Sequence, residues 1–236
     1  MSTEVYPVVH IQDTVQAWEQ AALAYELGAA GIYLIDHNSS PDSLEPADKL
    51  IKAYTAVAST HPDKYIGLNF LQFGISYVSF RFIHDLAAHE EIPRLPDALW
   101  VDDASITPEE TVELRDKNPE LKNVRYLGGI SFKYSPLYTD DPAESAREAS
   151  KFASYVDVVT TSGASTGKAT SIEKVRQMKE VIGPQRLALA SGVDASNVAA
   201  FGEYVDEVLV ATSIETAPQS GIFDEAKLRE LLAAAS

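Results

Sequence analysis

Hydrophobic positions along this chain alternate between two textures. Short runs rich in Val, Ile and Leu, such as Ile32-Tyr33-Leu34-Ile35 and Leu187-Ala188-Leu189-Ala190, are apolar at every position. Unbroken apolarity over so few residues predicts strands buried on both faces, as in parallel sheets. Eight such runs end near His10, Asn38, Gln72, Ser105, Lys133, Gly163, Val193 and Ser213. Between them apolar residues recur at helical spacing. Asp13-Thr14 opens a helix through Trp18, Ala21, Ala22 and Tyr25, with Gly28 as its stop. Further helices are predicted over Ser43 to Ala58, Ile75 to Glu90, Ser171 to Val181, Ala195 to Tyr204 and Glu225 to Ala234. Thr107-Pro108-Glu109-Glu110 and Asp141-Pro142-Ala143-Glu144 each read as an N-cap, a Pro at the first helical position and acid in the first turn.

Strand–helix units of roughly 25–30 residues, repeated eight times, are what a (β/α)8 TIM barrel requires. The expectation is one α/β barrel domain over residues 1–236, with no linker or low-complexity tract to divide it. A doubly wound open sheet is the competing fold, but no GxGxxG turn follows the first strand.

Composition narrows the function classes. The formal charge of −16 disfavours nucleic acid and anionic membranes as partners, because both need a basic surface. The chain has no Cys, which fits a reducing cytoplasm and rules out thiolate chemistry. Residues 1–12 lack the pattern of a signal peptide, and no apolar run approaches the ~20 residues of a membrane span.

In a barrel the active site lies at the carboxyl ends of the strands. Reading those ends yields His10 and Gln12, then Asp36, His37 and Asn38, then Asn69 and Gln72, then Asp102 and Asp103. The later strands give Lys133 and Tyr134, Thr161, Ser162 and Gly163, Ser191 and Gly192, and finally Thr212, Ser213 and Glu215. The last three strands all stop in small polar residues, which suggests a phosphate-binding rim. Barrels often place a phosphate after strands seven and eight, so Gly192 and Thr212-Ser213 are its expected seat. Ala211 where Gly is common, and the charge of Glu215, count against it.

Lys133, read as a strand residue beside Phe132 and Tyr134, has three readings: a phosphate or oxyanion partner, a structural ion pair with Asp102 or Asp103, and a Schiff-base amine. Asp36, Asp102 and Asp103 are candidate acid–base groups, and a divalent cation at Asp36 or Asp102 is the one cofactor these carboxylates suggest. Alternation allows only one of Asp102 and Asp103 to face inward, leaving the other to cap a loop. His10 and His37 suit acid–base work, though structural hydrogen bonding is the commoner role of a lone His. No HxH, HExxH or GxSxG is present. Gly163 to Lys168 has three residues before its Gly-Lys pair, and Ala169 follows, so it is not a Walker A loop. Its backbone, with Lys168, remains a weaker anion candidate.

Six segments in order resemble the BtpA/SgcQ family of TIM-barrel proteins. They are Gly31-Ile32-Tyr33-Leu34-Ile35-Asp36-His37, Ile66-Gly67-Leu68-Asn69-Phe70-Leu71, Leu99-Trp100-Val101-Asp102-Asp103, Gly128-Gly129-Ile130-Ser131-Phe132-Lys133-Tyr134, Val159-Thr160-Thr161-Ser162-Gly163, and Leu187 to Val193 continuing to Asn197-Val198. The resemblance implies the barrel. It also implies either a sugar- or nucleoside-processing enzyme or, after the cyanobacterial member implicated in photosystem I biogenesis, an assembly protein. The Pro-Gly-rich loop common after the family's first strand is replaced here by His10-Ile11-Gln12-Asp13.

The leading expectation is an enzyme acting on a small phosphorylated sugar- or nucleoside-like metabolite, by lyase, isomerase or nucleosidase chemistry. Lys133, Asp36, Asp102 and His37 are its catalytic candidates. Asn69, Thr161, Ser162, Gly163, Ser191, Gly192, Thr212 and Ser213 are its ligand-binding candidates. The alternative is a non-catalytic binding or assembly protein on the same scaffold. Tyr77, Phe80 and Phe82 would be its exposed patch or a homo-oligomer contact, unless they belong to the core.

Overall fold

A computed structural model describes residues 2–37 and 47–236. Eight strands run β1 Glu4–His10, β2 Ile32–Ile35, β3 Ile66–Asn69, β4 Ala98–Val101, β5 Arg125–Gly129, β6 Val158–Thr161, β7 Arg186–Ala190 and β8 Glu207–Val210. All pairs are parallel and the barrel is closed. Its seam pairs Glu4 with Glu207 and Val5 with Val208, a closure that an open doubly wound sheet lacks. The helices are α1 Thr14–Glu26, α2 Asp48–Thr60, α3 Ser76–Ala88, α4 Pro108–Lys117, α5 Pro142–Phe152, α6 Ile172–Ile182, α7 Val198–Phe201 and α8 Glu225–Ala235. Among the described residues, no helix is long and apolar enough to cross a membrane.

Strand alternation sorts the apolar residues into two cores. One face, with Val9, Leu34, Leu68, Leu99 and Val208, packs under the helices. The other fills the barrel interior with Tyr6, Val8, Tyr33, Ile35, Trp100, Leu127, Phe132 and Leu209. Phe80 is fully buried in the outer core, so it is no surface residue, while Tyr77 and Phe82 are partly covered. The amino-terminal end of the barrel is closed by charge. Glu207, buried on β8, accepts from Arg125 at 2.6 Å and from Arg186 at 2.9 Å. Arg186 also pairs with Glu4, and Arg125 reaches the Tyr65 hydroxyl at 3.1 Å.

Several boundaries differ from the sequence reading. Most strands stop two to four residues before the ends expected for them, and single backbone bonds such as Ile130 N–H to the Thr160 carbonyl continue past the regular pairing. Lys133 therefore sits on the loop after β5, not on a strand. The expected helix over Ala195 to Tyr204 shrinks to four residues. Asn197 accepts from the Asp194 N–H while Asp194 accepts from Ser196, and these side-chain turns consume the first residues. Asp13, Asp141, Ser171 and Asp224 do cap their helices. Thr107 occupies its N-cap position at φ +54°, where its carbonyl accepts from Thr111 but its side chain makes no cap bond. Ser43, the expected start of the second helix, and Asn38 lie outside the described residues.

Candidate functional site

The carboxyl ends of the strands surround a cavity of about 410 Å³, the size of a small-metabolite site. Its depth is apolar, with Val8, Ile35, Trp100 and Leu209 from the barrel interior. Its rim is polar, with His10, His37, Asp102, Lys133, Ser191, Thr212 and Ser213. Three non-glycine residues around the loops that carry this rim have left-handed backbones: Ser131 at φ +48°, Tyr134 at +65° and Ser191 at +84°. Such strain persists only where surrounding contacts fix it.

Lys133 holds the centre of the rim. Its Nζ donates to Ser191 Oγ at 2.6 Å and to Thr166 Oγ1 at 3.3 Å, and lies 5.7 Å from the Phe132 ring centre. Burial pushes its pKa down, and the Asp102 charge opposes that shift. Among the described residues it forms no ion pair, so the structural pair with Asp102 or Asp103 is not made. Asp102 faces the cavity. Burial raises its pKa, against the Asn69 amide, which donates to Oδ1 at 3.1 Å. Asp103 turns the other way and caps its loop, accepting from the Ser105 N–H at 2.9 Å and from the Ser135 hydroxyl at 2.9 Å. The alternation argument thus assigns the two carboxylates as expected.

His37 stands at the mouth with its ring edge-on to His10, 4.6 Å between centres. Burial, followed by His10 and Lys133, pushes its pKa down to about 4, so it is neutral at pH 7. Asp36 is one residue out of phase, is not among the cavity-lining residues, and pairs with Lys49 on α2 at 2.9 Å. Among the described residues no group of three or more His, Asp and Glu could hold a metal, and the carboxylates of Asp36 and Asp102 already face a lysine and an amide.

Other expected ligand residues serve the scaffold. Thr161 is buried and bonds to the Ser131 carbonyl at 3.3 Å. Ser162 accepts from the Lys133 N–H at 2.8 Å, fixing the lysine loop from below. Gly163 and Gly192 both make room for the protein's own backbone. A Cβ on Gly163 would stand 2.3 Å from the Lys168 carbonyl oxygen, and one on Gly192 would stand 2.1 Å from the Ala169 nitrogen. The close approach expected of a ligand at Gly192 is thus made by the β6–α6 loop. Lys168 is exposed and outside the cavity wall. Ser191, Gly192, Thr212 and Ser213 do line the cavity.

Two features escaped the sequence reading as functional pairs. Lys174, on α6, is fully buried. Its Nζ donates to the carbonyls of Ser131, Thr139 and Ser162 at 2.9, 3.0 and 3.1 Å, stapling the β5–α5 loop to the end of β6. Burial pushes its pKa down to about 8. The other is His10 with Glu215, whose Nδ1 and Oε1 lie 2.8 Å apart although 205 positions separate them.

Comparison with solved structures agrees with the barrel. Phosphoribosyl anthranilate isomerase from Thermus thermophilus is 15% identical with a TM-score of 0.61, covering 98% of each chain. Tryptophan synthase from M. tuberculosis is 16% identical with a TM-score of 0.65, covering 100% of this chain and 94% of its own. (S)-3-O-geranylgeranylglyceryl phosphate synthase from Thermoplasma acidophilum, in complex with sn-glycerol-1-phosphate, is 12% identical with a TM-score of 0.66, covering 99% and 93%. At these identities the likeness is one of fold. No curated protein matches the sequence. The sequence model of the BtpA family matches residues 98–236, from β4 through α8, and with more than half its length so matched the chain belongs to the BtpA family.

Proposed function

We propose that the protein is an enzyme acting on a small phosphorylated metabolite, with the phosphate at the ends of β7 and β8 and the rest of the molecule against the apolar depth. One observation carries this reading. Among the described residues, the backbone N–H groups of Gly192, Val193, Thr212 and Ser213 donate to no protein acceptor, yet all four residues line one side of the cavity. Clustered free N–H groups beside a fixed ammonium suit a multivalent oxyanion. Ser191 holds Lys133 at that side. The similar structures support the reading, since one holds sn-glycerol-1-phosphate and another is a phosphoribosyl anthranilate isomerase. Four-residue α7 contributes little dipole, so the N–H groups and Lys133 carry the attraction.

The chemistry proposed is proton transfer, the step shared by lyases, isomerases and nucleosidases. Asp102, biased by burial toward its protonated form, is the proton donor of this scheme, and Lys133 steadies developing negative charge. The test is a thermal-shift screen with phosphorylated sugars, nucleotides, their dephosphorylated forms and inorganic phosphate at constant ionic strength. A ligand at ~100 times its Kd adds ~2.7 kcal/mol, a rise of roughly 5–10 °C for a chain of this size. The expected result is a rise with one phosphorylated class, lost in Lys133→Met. No rise with any phosphorylated compound overturns the reading and favours the binding or assembly alternative.

A further inference from the structure

Two imidazoles face the cavity, and one of them is anchored. His10 ends β1 and lines the wall, with Nδ1 2.8 Å from Glu215 Oε1. Glu215 belongs to the segment between β8 and α8 and is fully buried. Its carboxylate is clamped by backbone donors: the Gln219 N–H reaches Oε2 at 2.7 Å and the Gly221 N–H reaches Oε1 at 3.2 Å. Gly221 is at φ +68°, and a Cβ there would stand 2.2 Å from the His10 carbonyl oxygen. The segment therefore closes over His10 only with glycine at that position. Gln16 of α1 donates to the carbonyls of both Gly221 and His10, and Lys227 of α8 donates to the Glu215 carbonyl at 2.7 Å. So much buried hydrogen bonding serves one contact between two side chains.

The contact dictates a tautomer. An ionised carboxylate only accepts, so the ring nitrogen facing it must carry the proton. In a neutral imidazole the proton on Nδ1 leaves Nε2 with a bare lone pair. Among the described residues Nε2 has no protein partner. The ring of His37 packs edge-on against that of His10, and Lys133 and Asp102, also on the cavity wall, are held by Ser191 and Thr166 and by Asn69. An imidazole oriented by a buried carboxylate, with its free nitrogen in a ligand cavity, is the arrangement of a general base.

We infer that His10 is the proton-accepting residue of this cavity and that Glu215 is its positioning residue. The inference deepens the enzyme reading above and rests on the cavity being a substrate site. In the step, the Nε2 lone pair takes a proton from a C–H beside a carbonyl, or from an O–H, of the substrate. The electron pair of the broken bond stays with the substrate and comes to rest on oxygen, facing Lys133. Glu215 stays ionised and holds the Nδ1–H of the resulting imidazolium. The substrate class is therefore a phosphorylated hydroxy- or oxo-compound with an acidic hydrogen.

The test needs no substrate. Long-range ¹H–¹⁵N correlation spectra of the full-length protein, with the His10 signals identified by their loss in His10→Gln, give the tautomer directly. At a pH where the ring is neutral, the expected result is a protonated Nδ1 and an unprotonated Nε2. In Glu215→Gln the side-chain NH2 can donate to Nδ1, which must then be unprotonated, and the Nε2–H form is expected to gain population. A wild-type ring protonated on Nε2 overturns the inference, and so does an unchanged tautomer in folded Glu215→Gln. If that variant does not fold, the wild-type spectrum still decides. Inorganic phosphate added to the same sample reports on the anion site separately, through the amide signals of Gly192, Thr212 and Ser213. Unmoved amides with the expected tautomer overturn the phosphate seat alone.

Discussion

Removing the Glu207 carboxylate strips the charge that closes the amino-terminal end of the barrel. Glu207 has no exposed side-chain surface, and one oxygen serves both Arg125 at 2.6 Å and Arg186 at 2.9 Å. In Glu207→Ala two guanidiniums face each other over a void, and Arg125 loses the carboxylate it pairs with. Breaking a fully buried pair costs about 3–5 kcal/mol. Here the arginine side chains are 28% and 40% exposed, so water screens part of the loss, and Arg186 keeps Glu4. The discounted expectation is about 2–3 kcal/mol, or roughly 5–10 °C in Tm for a chain of this size. Urea titration followed by circular dichroism and by Trp fluorescence measures it, provided the two transitions coincide. The double variant Arg125→Met/Glu207→Leu removes the unpaired charge along with its partner and should recover most of the loss. A Glu207→Ala change below about 0.5 kcal/mol, the range of ordinary surface substitutions, would refute the argument that this closure is structural.

His37 should titrate near pH 4 in ¹H NMR spectra. Its folded pKa lies below the unfolded value of about 6.5, so the unfolded chain takes up the proton first, and stability is lost as pH falls from about 6.5 to about 4; a His37→Gln variant should show a flatter acid limb. Lys174→Met takes the ammonium from three carbonyls, of which those of Ser131 and Thr139 keep hydroxyl donors and that of Ser162 loses its side-chain donor, and should cost about 1–3 kcal/mol, with amide exchange in the β5–α5 loop accelerating before that of the strands. Gly192→Ala puts a Cβ 2.1 Å from the Ala169 nitrogen at φ +74°, so a loss of at least about 1–3 kcal/mol is expected in thermal unfolding, whereas Gly167→Ala, at φ +79° with nothing near, should pay the backbone strain alone.

Fold and site were legible to different depths. The barrel could be read because its signal is local and repeated: most strand positions are apolar, and several helices carry their own side-chain cap, as Asp13, Asp141 and Asp224 show. The rim residues Lys133, Ser191, Thr212 and Ser213 could be read because the architecture brings all strand ends to one face. Asp36 misled because a strand end offers both inward and outward positions, and parity at β2 sends its carboxylate to Lys49. Gly192 lines the cavity as the strand-end reading expects, but the space left by its missing side chain is taken by Ala169, a neighbour that nothing local in sequence announces. Lys174 reads as a solvated helix residue among Glu173, Arg176 and Gln177, and only the loops folded over it make it buried. His10 and Glu215 each look unremarkable alone, since nothing local in sequence encodes a contact across 205 positions.

Among the described residues, a barrel shut by charge at its amino-terminal end holds its cavity at the carboxyl ends of the strands. A ligand resting against Trp100 and Leu209 lies beneath the rim to which Lys133 and Ser191 belong. Under the phosphate reading this fixes an order of traffic: the uncharged end of a ligand enters first, the phosphate docks last, and release runs in reverse. A compound reduced to its phosphate-bearing end would then act as a cork, obstructing the passage while leaving the interior unfilled.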